Sequence, residues 1–90
     1  MAIKIVTLED SMGEVLELLP VGTPVCHTKY PELVGKIVRY EYHESGKVSP
    51  IPYTVYWENS SLAHELLGFM FIYPSISEVR PVGEEESNGG

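Results

Sequence analysis

Hydrophobic and polar residues alternate most regularly between Leu33 and Trp57, and this alternation predicts a β-hairpin. In the first predicted strand, one side carries Val38, Tyr40 and Tyr42, and the opposite side carries Ile37, Arg39 and Glu41. The second strand repeats the pattern, with Tyr53, Val55 and Trp57 against Thr54, Tyr56 and Glu58. A two-residue period in β-branched and aromatic residues is the main strand signal. We therefore expect an antiparallel pair joined across the Ser45-Gly46 turn, with Val38 and Tyr40 inside and Tyr56 on the polar side.

The segment before this hairpin, residues 8–19, has two interpretations. Ser11 and Glu14 have the spacing of a helical capping box, which slightly favours a short helix. Residues 15–19 fit a strand as well, and Gly13 lowers the helix propensity. The sequence leaves both open.

The other elements are short. Alternation at residues 3–7 suggests a first strand, and residues 25–28 suggest another. Gly35 falls at the start of the predicted hairpin, where a bulge or a close backbone approach is expected. Residues 64–73 are apolar on both faces, which favours a buried strand over a helix, and residues 76–82 close the fold. We expect one domain over residues 1–82, followed by a disordered acidic tail over residues 83–90 that ends in Gly-Gly.

Three segments resemble the SH3-like small β-barrels, which include KOW and Tudor-type modules and small accessory subunits of photosynthetic complexes. They are Val21-Gly22-Thr23-Pro24-Val25, Gly35-Lys36-Ile37-Val38 and Tyr53-Thr54-Val55-Tyr56-Trp57. The similarity extends over about residues 21–82 and includes a closing helical turn and last strand. It implies a mainly β fold, a small SH3-like β-barrel with a short N-terminal strand or helix extension. It also implies a binding or scaffolding role.

The net charge of the chain limits the classes of macromolecule that we expect it to bind. The formal net charge is −7, from 13 acidic and 6 basic residues. A basic footprint for a phosphate backbone is absent, so direct nucleic-acid binding is not expected. We expect the partner to be another protein, and a protein with a basic surface is one option. We also expect the chain to be a monomer or a weak homodimer. Cys26 is the single cysteine, and we find neither a signal peptide nor a stretch that would insert into a membrane, which together suggest a cytoplasmic protein.

No catalytic, cofactor or metal signature stands out. Cys26 and His27 look like a nucleophile and its base, but neighbours in a strand point to opposite faces. His27, His43 and His64 lack the close paired spacing of a zinc site. We therefore expect a non-enzymatic chain without metal or cofactor.

Aromatic side chains with one polar end are enriched at protein interfaces. Tyr56 is the best candidate for partner binding, because it falls on the polar side of an otherwise inward-facing strand. The remaining candidates for a partner-binding site are Tyr42, Tyr30, Glu41 and Glu58.

The favoured function is a protein–protein interaction module or a small accessory or regulatory subunit. A first alternative is an acidic viral or mobile-element decoy, which would block a nucleic-acid-binding enzyme of the host with carboxylates gathered on one face. A second is a ubiquitin-like modifier or sulfur carrier that uses Gly90.

Overall fold

A computed structural model describes residues 3–83 of the chain. The strands in this part are β1 (Val6–Glu9), β2 (Val15–Leu18), β3 (Pro24–His27), β4 (Val34–Tyr42), β5 (Val48–Trp57) and β6 (Val79–Pro81). A helix, α1 (Ser60–Leu67), and a 3₁₀ turn at Ile76–Glu78 lie between β5 and β6. The expected closing turn and last strand are therefore confirmed.

The strands form two sheets. β1 and β2 pair as an antiparallel hairpin, and the second sheet has four strands in the order β5-β4-β3-β6, all antiparallel. This larger sheet curls into a half-barrel, and the prediction of a mainly β, small barrel-like fold is confirmed. Its concave face covers the core, whose buried members are Leu18, Val25, Leu33, Ile37, Tyr53, Val55, Trp57, Ala63 and Val79.

The central hairpin is present as predicted, but a β-bulge changes which residues of β4 face inward. Ile37 lies opposite Val55 and Arg39 lies opposite Thr54, so Val38 is an extra residue without a partner. An extra residue shifts the alternation by one position. The expectation that Val38 is interior is therefore wrong, since it is 40% exposed whereas Ile37 is fully buried.

The N-terminal segment is a β-hairpin, and the slightly favoured helix over residues 8–19 is wrong. Asp10 explains the turn, because its Oδ1 accepts hydrogen bonds from the Met12 and Glu14 amides, both at 2.9 Å. Gly13 supports it with a positive φ of 87°, which favours glycine. Glu14 thus follows a turn that an aspartate side chain organises, where the sequence had suggested a helix cap.

Two tyrosines, the buried Tyr53 and the half-buried Tyr40, attach this hairpin to the larger sheet through Leu19. Tyr53 Oη accepts a hydrogen bond from the Leu19 amide at 2.8 Å, and Tyr40 Oη donates one to the Leu19 carbonyl at 2.7 Å. Burial raises the pKa of both phenols above the ordinary tyrosine value. Both hydroxyls are therefore protonated at neutral pH, as the donation from Tyr40 requires.

The buried strand expected at residues 64–73 is wrong. α1 occupies the first part of this segment, and its inward residues follow the spacing of a helix face, namely Leu62, Ala63, Leu66 and Leu67. Asn59 caps the start of the helix by accepting from the Leu62 amide at 3.1 Å. Gly68 ends it with a φ of 82°. Turns then lead to the 3₁₀ turn.

Two sequence predictions concern residues outside the described range. The disordered acidic tail over residues 83–90 lies beyond it except for Gly83, and so does the Gly-Gly ending with Gly90.

Candidate functional site

The convex face of the four-stranded sheet carries the strongest candidate site. Tyr56 on β5 lies opposite Lys36 on β4, and Lys36 lies opposite Pro24 on β3. Directly paired residues project from the same face of a sheet, so these three side chains form one row across it. A groove of about 300 Å³ follows this row, and Glu58 and Gly35 complete its lining.

Tyr56 is the dominant apolar group of the groove. It is 62% exposed, although its chain neighbours Val55 and Trp57 are each 1% exposed. The prediction that Tyr56 lies outside the core is therefore confirmed. A large ring in water gains binding energy when a partner covers it, and its hydroxyl can hydrogen-bond across an interface.

Two opposite charges flank this ring. Lys36 lies beside it on the neighbouring strand, and Glu58 follows two residues later on the same face. Lys36 takes part in none of the ion pairs found within residues 3–83. An apolar centre with charged groups at its edge is the usual arrangement of a protein interface.

Gly35 lies at the base of the groove because β4 and β5 approach each other closely there. A Cβ at this position would collide with the Tyr56 carbonyl oxygen and lie 3.0 Å from Trp57 Cα. The close backbone approach expected at this glycine is confirmed. Trp57, the strand partner of Gly35, is 1% exposed and packs in the core beneath the groove.

Glu41 lies on the same hairpin, and its carboxylate already accepts two hydrogen bonds within the chain. Its Oε2 accepts from Arg39 Nε at 2.9 Å and from the Thr54 hydroxyl. These contacts lower the pKa of the Glu41 carboxyl, with the Thr54 hydrogen bond as the largest cause, and the Glu41 carboxylate raises the pKa of Arg39. Glu41 thus offers a partner a carboxylate whose charge Arg39 largely balances.

The remaining aromatic candidates lie apart from the groove. Tyr42, 62% exposed, pairs with Val48 at the far end of the hairpin. Tyr30 is half-buried in the loop after β3 and packs on the core, with its ring centroid 5.4 Å from that of His27. The structure therefore brings Tyr56 and Glu58 together, and it places Tyr42 and Tyr30 elsewhere. Their roles in partner binding stay predictions.

Cys26 and His27 are both buried but do not act on each other. Cys26 pairs with Val34 and Arg80, so it belongs to the convex face, while the His27 ring lies 6.2 Å from the Trp57 ring in the core. His27 Nδ1 accepts from the Lys29 amide at 3.0 Å. Its other nitrogen, Nε2, lies 3.5 Å from a Glu78 carboxylate oxygen. This imidazole thus organises the loop that follows β3.

Metal-binding groups and membrane-spanning helices are both absent from the described residues. Within residues 3–83, no group of three or more histidine, cysteine or acidic side chains could hold a metal ion. The same residues contain no helix with the length and apolar character needed to cross a bilayer.

The carboxylates on which the decoy hypothesis depends are distributed along the molecule. They are Glu14, Glu17, Glu41, Glu44 and Glu58. Glu44 lies in the turn between β4 and β5, and Glu58 directly follows the other end of β5. Since β5 has 10 residues, these two lie about 30 Å apart along the hairpin.

The turn after α1 is a second exposed apolar feature, which the sequence prediction of a buried strand missed. Phe69 is 90% exposed and Met70 is 62% exposed in the turn after α1. Hydrogen bonds fix the chain on both sides of this turn. The Gly68 amide donates to a carbonyl of the helix, and the Phe71 carbonyl accepts from Trp57 Nε1 at 2.7 Å. The signal available in the sequence was Gly68, which ends the helix and turns the chain outward.

Comparison with protein-family models, curated proteins and solved structures finds no match for this chain.

Proposed function

We propose that this chain is a non-catalytic protein-interaction module, a small accessory or regulatory subunit that binds another protein. The binding surface is the convex face of the four-stranded sheet around Tyr56. The observation that carries the proposal is the exposure of Tyr56 in a groove, between side chains of opposite charge. Aromatic groups of this kind contribute most of the binding energy at many interfaces.

The resemblance to SH3-like small barrels supports a binding role, because such barrels present ligand-binding surfaces on a compact sheet. The arrangement of Cys26 and His27 supports the non-catalytic part of the proposal. A nucleophile needs a base within hydrogen-bonding distance, and these two side chains belong to opposite faces of β3.

The first experiment identifies the partner and measures its affinity. The chain is used to capture proteins from a lysate of its source organism, the captured proteins are identified by mass spectrometry, and the purified partner is titrated. Tyr56→Ala should weaken binding by about tenfold or more, as expected for a central aromatic anchor. Tyr42→Ala is the comparison that separates the groove from the far end of the hairpin, because it removes an equally exposed tyrosine there and tests the predicted role of Tyr42 at the same time. Unchanged affinity for Tyr56→Ala would refute the proposed surface.

Salt dependence separates this function from an acidic decoy. Apolar contact supplies most of the energy in the proposed module, so affinity should fall only modestly between low and high salt. A decoy attracts its target by charge and should lose affinity steeply over the same range.

A further inference from the structure

We propose that His27 is a pH-sensitive switch, and that protonation of its ring releases residues 29–32 from the core and exposes the Tyr30 side chain. The switch consists of a buried imidazole and two backbone amides in the loop that follows β3. It lies on the concave face of the sheet, opposite the groove around Tyr56, so it does not depend on the function proposed for that groove.

The hydrogen bonds of the His27 ring determine which nitrogen carries its proton. Nδ1 accepts from the Lys29 amide at 3.0 Å, and a longer hydrogen bond of 3.4 Å comes from the Tyr30 amide. An imidazole nitrogen that accepts a hydrogen bond carries no proton, so the proton of the neutral ring is on Nε2. Nε2 is buried and has no hydrogen-bond partner among residues 3–83. The closed loop therefore requires a neutral ring.

The elements that pack on this ring direct one carboxylate at it. β5 contributes the uncharged Trp57 ring at 6.2 Å, and β6 contributes Val79, the strand partner of His27. In the 3₁₀ turn, Glu78 Oε2 lies 3.5 Å from Nε2, which is longer than a usual N–H···O hydrogen bond. Arg80 follows Val79 on β6 and projects from the opposite face, because neighbours in a strand alternate.

The loop itself adds two titratable groups near the ring. The Tyr30 ring is half-buried, and its centroid lies 5.4 Å from that of His27. Lys29 Nζ lies 5.5 Å from the centroid of the Tyr30 ring. Glu32, in the same loop, is exposed.

A proton on Nδ1 converts this acceptor into a donor. The Lys29 and Tyr30 amides then face an N–H group, both hydrogen bonds are lost, and both amides lack an acceptor. The ring also becomes charged while it is only 2% exposed, which is unfavourable in a core. Release of the loop removes both penalties, because the imidazolium and the amides then hydrogen-bond to water.

Glu78 acts in the opposite direction, since its carboxylate attracts the imidazolium. Its side chain is 45% exposed, so water weakens this attraction. The unfavourable contact between Nδ1–H and the Lys29 amide is at 3.0 Å in a buried site, and we therefore expect release to prevail. The closed loop binds fewer protons than the open one. Its stability is then complete above about pH 6.5, where histidine in water loses its proton, and falls as the pH decreases.

Two hydrogen bonds limit how far the chain opens. The Thr28 amide donates to the Glu78 carbonyl at 2.9 Å, and the His27 amide donates to the Leu33 carbonyl at 3.0 Å. Neither bond involves the imidazole, so the residues between them are the ones released. At neutral pH the Tyr30 ring packs on the core. Below about pH 6 the open loop presents this ring to solvent, next to the positive charge of Lys29.

NMR on the ¹⁵N-labelled full chain between about pH 7.5 and about pH 5 tests the switch. Shifts of the ring nitrogens identify the protonated atom of His27. Water exchange of the Lys29 and Tyr30 amides, each divided by its intrinsic rate at the same pH, measures opening. Protection should fall by about five- to thirtyfold, and the upper limit is that of a histidine protonated only in the open loop. The Val55 amide, bonded to the Ile72 carbonyl at 2.9 Å, is the reference and should stay protected.

Two variants assign the effect to His27. The double variant His43→Gln/His64→Gln removes two exposed histidines and should leave the pH effect unchanged. His27→Asn keeps an acceptor near the position of Nδ1 that takes up no proton in this range, so the pH effect should disappear. If His27→Asn does not fold, the wild type and the double variant are sufficient for the test.

Four results would overturn the proposal. The first is a proton on Nδ1 at neutral pH, and the second is a protonated ring at low pH with unchanged protection of the Lys29 amide. The third is a parallel loss of protection at Val55, because the whole domain would then unfold. The fourth is loss of the pH effect in the His43→Gln/His64→Gln variant.

Discussion

Leu19 provides the sharpest test of how the N-terminal hairpin is attached, because two tyrosine hydroxyls bind its peptide groups. Tyr53→Phe removes one oxygen while the ring, 1% exposed, stays packed. The Leu19 amide then loses its acceptor at 2.8 Å. Leaving a buried donor unpaired costs about 1–3 kcal/mol, and we expect about 1–2 kcal/mol because Leu19 is only half-buried. Tyr40→Phe removes the donor to the Leu19 carbonyl, for which we expect about 0.5–1.5 kcal/mol.

Urea unfolding followed by fluorescence of the single tryptophan, Trp57, measures both effects. A domain of this size has a free energy of unfolding on the order of 5 kcal/mol, and its urea dependence is about 1 kcal/mol per molar. Tyr53→Phe should therefore lower the urea midpoint by about 1 M or more. The double variant tests coupling, because both hydroxyls bind the same residue.

Tyr56→Phe is the matched control for this experiment. It removes a hydroxyl from an exposed tyrosine, so the free energy of unfolding should change by less than about 0.5 kcal/mol. If Tyr53→Phe is no more destabilising than Tyr56→Phe, the hydroxyls do not hold the hairpin and the reasoning is wrong.

Three further predictions concern the core, the base of the groove and the 3₁₀ turn. Trp57→Ala should cost about 3–5 kcal/mol and leave the chain largely unfolded by circular dichroism. Gly35→Ala should cost about 1–3 kcal/mol in urea unfolding because the new Cβ meets the Tyr56 carbonyl, and an unchanged midpoint would contradict that contact. The pKa of the Glu78 carboxyl is lowered, and the hydrogen bond from the Ser75 amide is the largest cause. The contribution of Glu78 to the free energy of unfolding is therefore complete above the unfolded-state pKa and is lost as the pH falls through the folded-state pKa. Glu78→Gln should therefore flatten the acid limb of stability below about pH 5, whereas an acid limb identical to the wild type would exclude this role.

The sequence predicted the central hairpin because aromatic and β-branched residues alternate along β5 without interruption. It failed on the inward face of β4, where the bulge at Val38 moves Ile37 into the core. A bulge depends on how two strands pair, and the composition of one strand does not reveal it. At residues 64–73 the apolar residues satisfied a strand period and a helix period together. Packing of α1 on the core decided between them.

Part of the candidate site was predictable on the same grounds. The alternation of β5 placed Tyr56 on the outer face, and Glu58 shares that face two residues later. Lys36 and Pro24 depended on the register across three strands, which one sequence does not supply. For this reason the sequence grouped Tyr56 with Tyr42 and Tyr30, which the folded chain holds apart.

The groove and the core are linked through two consecutive residues of β5. The backbone of Tyr56 and Trp57 occupies the space that a side chain at Gly35 would need, and this close approach of β4 and β5 lies beneath the Tyr56 ring. The core therefore positions the exposed ring, while the ring itself adds little to stability because it is 62% exposed. Substitutions at Tyr56 should then act on partner binding alone, whereas substitutions at Gly35 should disturb both. This asymmetry distinguishes a binding surface built on the fold from an exposed residue without a role.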